Sequence, residues 1–277
     1  MSNIELTTPK KLNPTRCSPR WAMLDGVSVR YTISGEIGRP LLLLHEMGGS
    51  LESWDPVLAH LPSNQIIIRC DMRGAGGSEK IRTATTCDAL SDDIAALLNY
   101  LGVSGANVAG VAIGGCMSLK LAVRHPHLVY KLAPINPPID AFGRAGEVLR
   151  DRAVLTDAQG MRAVVDSALA RSYPDVLRKV DGAYEAYVAR FITNDPSSYA
   201  HILRALLSVN FEGELERISC PTLFIAGRLD IVRRPEDTSK AALRVPGAGF
   251  LEVEGGHIPS IQAPAVLSAT LTNFFDM

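Results

Sequence analysis

Asn107-Val108-Ala109-Gly110-Val111-Ala112-Ile113-Gly114-Gly115 is the stretch on which the reading of this 277-residue chain turns. It has the pattern of a short apolar strand, a glycine-flanked turn and the start of a helix over 116–124. Small residues at Gly110, Gly114 and Gly115 let a strand reverse into a helix at a range where a Cβ would collide. A G-x-S-x-G frame of this kind holds a serine nucleophile on a strained turn above a sheet. Here the central position is Ala112, which carries no oxygen.

Around this turn the chain alternates buried strands with helices. Pro40-Leu41-Leu42-Leu43-Leu44 and Gln65-Ile66-Ile67-Ile68-Arg69-Cys70 are apolar runs too short for helices, as expected of strands covered on both faces of a parallel sheet. Residues 21–24 and 27–34 predict a hairpin across Asp25-Gly26. Helices are expected near 54–61 and 88–101, and a further strand over 128–135. From there to about 219 the strand pattern stops, and arginine-rich helical segments at 144–153, 159–170, 183–191 and 199–207 replace it. Strands return at 221–226 and 249–253, with helices at 235–243 and 265–275. The expectation is an α/β fold with a mostly parallel sheet, in which residues 1–137 and 220–277 form the core and 138–219 a helical cap. Residues 1–19 read as a loosely attached arm.

Composition narrows the function classes. A net charge of −1 argues against nucleic acid or an anionic membrane as partner. Five scattered cysteines without a C-x-x-C pair argue against a disulfide framework or a zinc site, and suit a reducing compartment. No apolar stretch reaches the ~18 residues of a membrane span. The expectation is a soluble cytoplasmic protein with a small-molecule substrate, no metal and no cofactor; a homodimer is compatible with the sequence.

Acyl transfer needs a nucleophile, a base oriented by an acid, and two N–H donors for the developing oxyanion. Ala112, Asp230 and His257 all follow expected strands, so their loops gather on one sheet edge. They occur in the chain order nucleophile, acid, base. Met47 and Ile113 are the expected oxyanion donors, through their backbone N–H groups. An acid after the strand ending at Ile135 is the alternative to Asp230, but that position holds Asn136, with Asp140 further on. Cys116, one turn into the helix, is expected to be a core thiol.

These motifs resemble those of the α/β-hydrolase fold enzymes from Trp21 to the end. His45-Glu46-Met47-Gly48-Gly49 resembles the family's HGxG, with Glu46 departing from a glycine, either as a solvated residue or as one that tunes the pocket rim. Asp71-Met72-Arg73-Gly74-Ala75-Gly76-Gly77-Ser78 resembles its D-x-R-G-x-G-x-S turn. Gly110 to Gly115, Gly227-Arg228-Leu229-Asp230 and Gly255-Gly256-His257 resemble the nucleophile, acid and base loops. The pattern is most similar to enol-lactone hydrolases of aromatic catabolism and their amide-cleaving relatives. That resemblance implies a serine-type hydrolase of a small, carboxylated acyl substrate, split at a C–O or a C–N bond.

Two readings of Ala112 remain. Either a catalytic serine has been replaced, leaving a site that binds substrate and barely turns it over, or alanine is natural. A natural alanine implies a ligand-binding pseudoenzyme or His257–Asp230 acting as a base without a covalent step, as in lyase or cofactor-free oxygenase relatives. Economy favours replacement, since the base, acid and glycine frame all suit a serine. Among the cap arginines, Arg144 and Arg162 are the candidates for a substrate carboxylate, which a guanidinium fork matches well.

Overall fold

The computed structural model describes residues 18–140 and 144–277; the side chains at 144 and 145 also lie outside the described residues. Most of the expected N-terminal arm, Cys17 and the side chain of Arg144 therefore fall outside it. The hairpin forms as β1 (Arg20–Leu24) and β2 (Val27–Ser34). β3 (Ile37–Leu44), a short α1 (Asp55–Leu58), β4 (Gln65–Cys70) and α2 (Cys87–Tyr100) follow. β5 (Ala106–Val111) runs into α3 (Ile113–Arg124), and β6 (Val129–Ile135) comes next. Four helices then precede the next strand: α4 (Arg144–Gln159), α5 (Val165–Ser172), α6 (Ala183–Ile192) and α7 (Pro196–Leu207). β7 (Leu223–Gly227), α8 (Pro235–Ala242), β8 (Gly249–Val253), α9 (Pro259–Gln262) and α10 (Pro264–Phe275) complete the chain.

The eight strands form one sheet in the order β1-β2-β4-β3-β5-β6-β7-β8. β1 and β2 pair antiparallel, as do β2 and β4; from β4 to β8 the pairing is parallel. The apolar run of β3 shows why the sheet is covered twice. Leu42 and Leu44 belong to the core packed with α2 and α3, whereas Leu41 and Leu43 belong to the core packed with α1 and α10. All four are fully buried, as the period of two requires.

β5 lies between β3 and β6, and the strand order reverses direction at β3/β5. Ligands in open parallel sheets bind beyond the strand C-termini at such a switch point. Loops carrying Met47, Ala112, Asn136, Asp230 and His257 leave β3, β5, β6, β7 and β8, so the topology delivers all five to that edge.

Several helix boundaries differ from expectation. The helix read over 159–170 begins only at Val165, because Gly160 adopts φ +79° and a short 3₁₀ turn, Met161–Ala163, intervenes. α7 starts at Pro196 rather than near 199, since Asp195 accepts the Ser198 N–H and caps it.

Candidate active site

Ala112 sits between β5 and α3 with φ +52° and ψ −115°. This is a strained conformation for a residue with a Cβ. The strain is held from both sides: Ala112 N–H donates to the Ile135 carbonyl (2.8 Å), and Cys116 N–H donates to the Ala112 carbonyl (3.0 Å). The flanking glycines make the reversal possible. A Cβ on Gly110 would lie 2.2 Å from the Gly114 carbonyl oxygen, and one on Gly114 2.4 Å from that of Leu44.

His257 Nδ1 is 2.8 Å from Asp230 Oδ2. The other oxygen of Asp230 accepts the N–H groups of Val232 (2.7 Å) and Arg233 (2.9 Å). Asp230 is thus a buried carboxylate with its lone pairs engaged, able to orient an imidazole and steady its charged form. Asn136, at the end of β6, ties the two loops together. Its amide donates to the carbonyls of Gly256 (3.0 Å) and His257 (3.1 Å) and accepts from Gly227 N–H (3.0 Å). The position weighed as an alternative acid therefore holds the base loop instead.

His45 arranges the loop after β3. It is buried, accepts Met72 N–H at Nε2 (3.1 Å), and its Nδ1 lies 2.7 Å from the Glu46 carbonyl oxygen. Accepting at Nε2 makes Nδ1 the donor. In a trans peptide C=O and N–H point opposite ways, so pinning the Glu46 carbonyl turns the Met47 N–H away from His45. The Met47 N–H finds no protein acceptor among the described residues, and Ile113, opening α3, has no intrahelical one.

A cavity of about 120 Å³ lies over these groups, with Ala112, Ile113, Met47 and His257 in its floor. That volume accommodates a small molecule rather than a polymer. Its apolar wall includes Leu149, Phe191, Tyr199 and Leu203 from the helical segment. Arg152, Arg171, Arg233 and Glu46 add charge. Tyr187 and Tyr199 also line it, and burial pushes both phenols above their usual pKa, so each stays a neutral hydroxyl.

Known proteins share this architecture. The sequence profile of the alpha/beta hydrolase fold matches residues 39–175. A protein named as a carbamate hydrolase, RutD, from Caulobacter sp. strain K31 is 31% identical, over 84% of this chain and 89% of its own length. A 3-oxoadipate enol-lactonase of Acinetobacter baylyi is 26% identical, over 86% of this chain and 89% of its own. The crystal structure of the enol-lactonase from Burkholderia xenovorans LB400 superposes with a TM-score of 0.87 at 27% identity, covering 93% of this chain and all of that one. The chain belongs to the α/β-hydrolase fold family.

Within that family's frame, the structure brings Ala112, His257, Met47 and Ile113 to one cavity, with Asp230 behind the histidine. The arginines need correction. Arg162 is exposed on the 3₁₀ turn, where its neighbours Met161 and Val164 take the buried positions, and it does not line the cavity. Arg152, Arg171 and Arg233 do. A sequence signal existed for Arg152: it stands three and four residues after Leu149 and Val148, one helical face of α4 that lines the cavity. Of the two readings of Glu46, a solvated residue or one at the pocket rim, its burial (2% exposed) and its place in the cavity lining support the second. Cys116 is fully buried, with burial raising its pKa, and is a core thiol.

The Asp71 turn is structural. Its carboxylate accepts Leu51 N–H (2.8 Å), Gly77 N–H (2.7 Å) and the Arg30 guanidinium (2.9 Å). Among the described residues no group of three or more His, Cys, Asp or Glu side chains could hold a metal ion, and no helix is long and apolar enough to cross a membrane.

Proposed function

We propose that this chain hydrolyses a small carboxylated carbonyl compound, with His257 and Asp230 activating water directly above Ala112. The observation that carries the reading is the anchoring of the pair. Asp230 holds Nδ1, Asn136 holds the His257 carbonyl, and position 112 contributes to neither. The base therefore needs no serine to be in place.

With Nδ1–H donated to Asp230, Nε2 is the nitrogen that accepts a proton. Water loses a proton to Nε2 as its oxygen bonds to the carbonyl carbon. The carbonyl electrons move to oxygen, and the oxyanion is met by the N–H groups of Met47 and Ile113. Collapse of the tetrahedral species expels the leaving oxygen or nitrogen, which takes the proton back from Nε2. Residues 138–219 serve as a cap that excludes water and selects the substrate, with residues 1–137 and 220–277 as the hydrolase core. Arg152 and Arg171 present guanidinium groups to a substrate carboxylate. The similarity to an enol-lactonase and a carbamate hydrolase supports a carbonyl substrate.

A second reading, a serine hydrolase with alanine in place of its nucleophile, is favoured by the strain at Ala112. A non-ideal φ of +52° serves a side chain that must project toward a base. Turnover of activated esters, enol-lactones and N-acyl enamines by the native chain, His257→Ala and Ala112→Ser separates them. Native hydrolysis that His257→Ala abolishes supports the water reading. An inert native chain, activated by Ala112→Ser, establishes the second.

A further inference from the structure

The peptide group that follows His257 is held at both of its polar ends. Asn136 donates to the His257 carbonyl (3.1 Å), and Ile258 N–H donates to Gln262 Oε1 (3.1 Å). The same Oε1 accepts Gly256 N–H (2.9 Å), so the Gln262 side chain straddles the base. These partners fix which way its amide faces. Two N–H groups need the oxygen, which leaves Nε2 to donate to the Ser172 carbonyl (2.7 Å). Ser172 ends α5, where the last carbonyls have no intrahelical donor, so Gln262 satisfies an orphan acceptor of the helical segment.

Two further contacts seat the same end of α5 on the loops of the site. Arg171 donates to the Ile231 carbonyl (2.9 Å), next to Asp230. Leu177, buried a few residues beyond α5, packs on Gly256, where a Cβ would lie 2.5 Å from Leu177 Cδ1. The two amides around His257 therefore differ in their anchorage. Asn136 follows β6 and accepts Gly227 N–H from β7, so it fixes the base to the sheet. Gln262 ends α9 and fixes the base to α5.

From this arrangement we infer that Gln262 is a positioning residue for His257 and couples the base to the seating of the helical segment. Lifting α5 off its loops withdraws the Ser172 carbonyl and frees the amide that holds Gly256 and Ile258. The base is then fully ordered only under a seated cap, and proton transfer is confined to the covered cavity. Gln262 does not line that cavity and touches no reacting atom. The inference rests on the proposed roles of His257 as base and of residues 138–219 as cap.

The test reads order at His257 without turnover. Solvent exchange of its Nδ1–H is followed by proton NMR on chain carrying isotope-labelled histidine, and the signal is assigned by its loss in His257→Ala. The Nδ1–H of His45, in the β3 loop, reports any general loosening of the fold. Each hydrogen bond lost corresponds to roughly 5-fold in local opening. Gln262→Leu gives up all three bonds and should speed exchange at His257 on the order of 100-fold. Gln262→Glu, studied at about pH 8 where a carboxyl is ionised, keeps both N–H acceptors and loses only the donor to Ser172. It should speed exchange roughly 5-fold, and it keeps the test open should Gln262→Leu unfold. Leu177→Ala leaves every one of these hydrogen-bonding groups in place, yet should also speed exchange at His257 several-fold. The His45 signal should stay native in all three, with circular dichroism reporting the fold. Native exchange at His257 in Gln262→Leu overturns the positioning role, and native exchange in either Gln262→Glu or Leu177→Ala overturns the coupling. Equal acceleration at His45, or rapid His257 exchange in the native chain, overturns the inference as well. A protected His257 signal in a chain that turns over no substrate overturns the water reading and leaves this inference standing.

Discussion

Replacing Asn136 by alanine removes three buried hydrogen bonds at once, two donated to the carbonyls of Gly256 and His257 and one accepted from Gly227 N–H. Each neutral bond contributes about 1 kcal/mol net, and a partner left buried and unpaired raises the loss to about 1–3 kcal/mol. Asn136 also adopts φ +48°, which costs alanine more than asparagine, adding about 1 kcal/mol. The expected destabilisation is therefore about 4 kcal/mol for Asn136→Ala. Asn136→Gly escapes the backbone term and should lose about 1 kcal/mol less. Asn136→Asp keeps the shape but sets a carboxylate against two carbonyl oxygens, and should be as damaging as alanine. Urea unfolding followed by circular dichroism measures all three. A loss under about 1 kcal/mol for Asn136→Ala, or a glycine variant less stable than alanine, would refute the view that this residue ties the base loop to the sheet.

Other outcomes follow from the same geometry. Gly114→Ala places a methyl 2.4 Å from a backbone oxygen that cannot retreat, so it should unfold the chain or lower its midpoint far more than Gly102→Ala, where nothing lies within 4 Å of the added methyl and only the positive φ (+68°) is penalised. Glu52 illustrates a pH effect. Burial would raise its pKa, but hydrogen bonds from Arg30 and Ser50 override this and hold it at about 2 against an ordinary 4.5. The folded form thus favours the carboxylate, and this contribution to stability is complete above about 4.5 and lost as pH falls toward about 2; acid unfolding of Glu52→Gln should show a shallower slope across that window. Arg152→Ala should weaken a carboxylate ligand on the order of 10-fold by calorimetry, while Arg162→Ala should leave affinity unchanged.

The sheet was legible because buried parallel strands leave short unbroken apolar runs such as Leu41 to Leu44, and because the glycine frame around Ala112 admits few backbones. The order of Ala112, Asp230 and His257 along the chain then located the site. What escaped was everything set by packing of one element on another. Arg152 and Arg162 are both arginines of the helical segment; the spacing of Arg152 from Val148 and Leu149 on α4 turns it inward, while the break at Gly160 leaves Arg162 in solvent. For Glu46 the sequence left a solvated residue and a pocket-rim residue both open, because acids are usually exposed; its burial depends on Ser53 and on the space left at Gly49. Asn136 was weighed only as a replacement acid, since hydrogen bonds to backbone groups 91 and 120 residues away leave no local pattern.

The central claim is that His257, steadied by Asp230, drives hydrolysis without a covalent intermediate at position 112. Its most direct test is mass spectrometry of the native chain and Ala112→Ser, quenched during turnover of the same activated substrate. The native chain should yield product with no acyl adduct, and the His257→Ala variant no product. A native chain that yields no product, beside an Ala112→Ser variant that accumulates an acyl-enzyme and turns over, would contradict it.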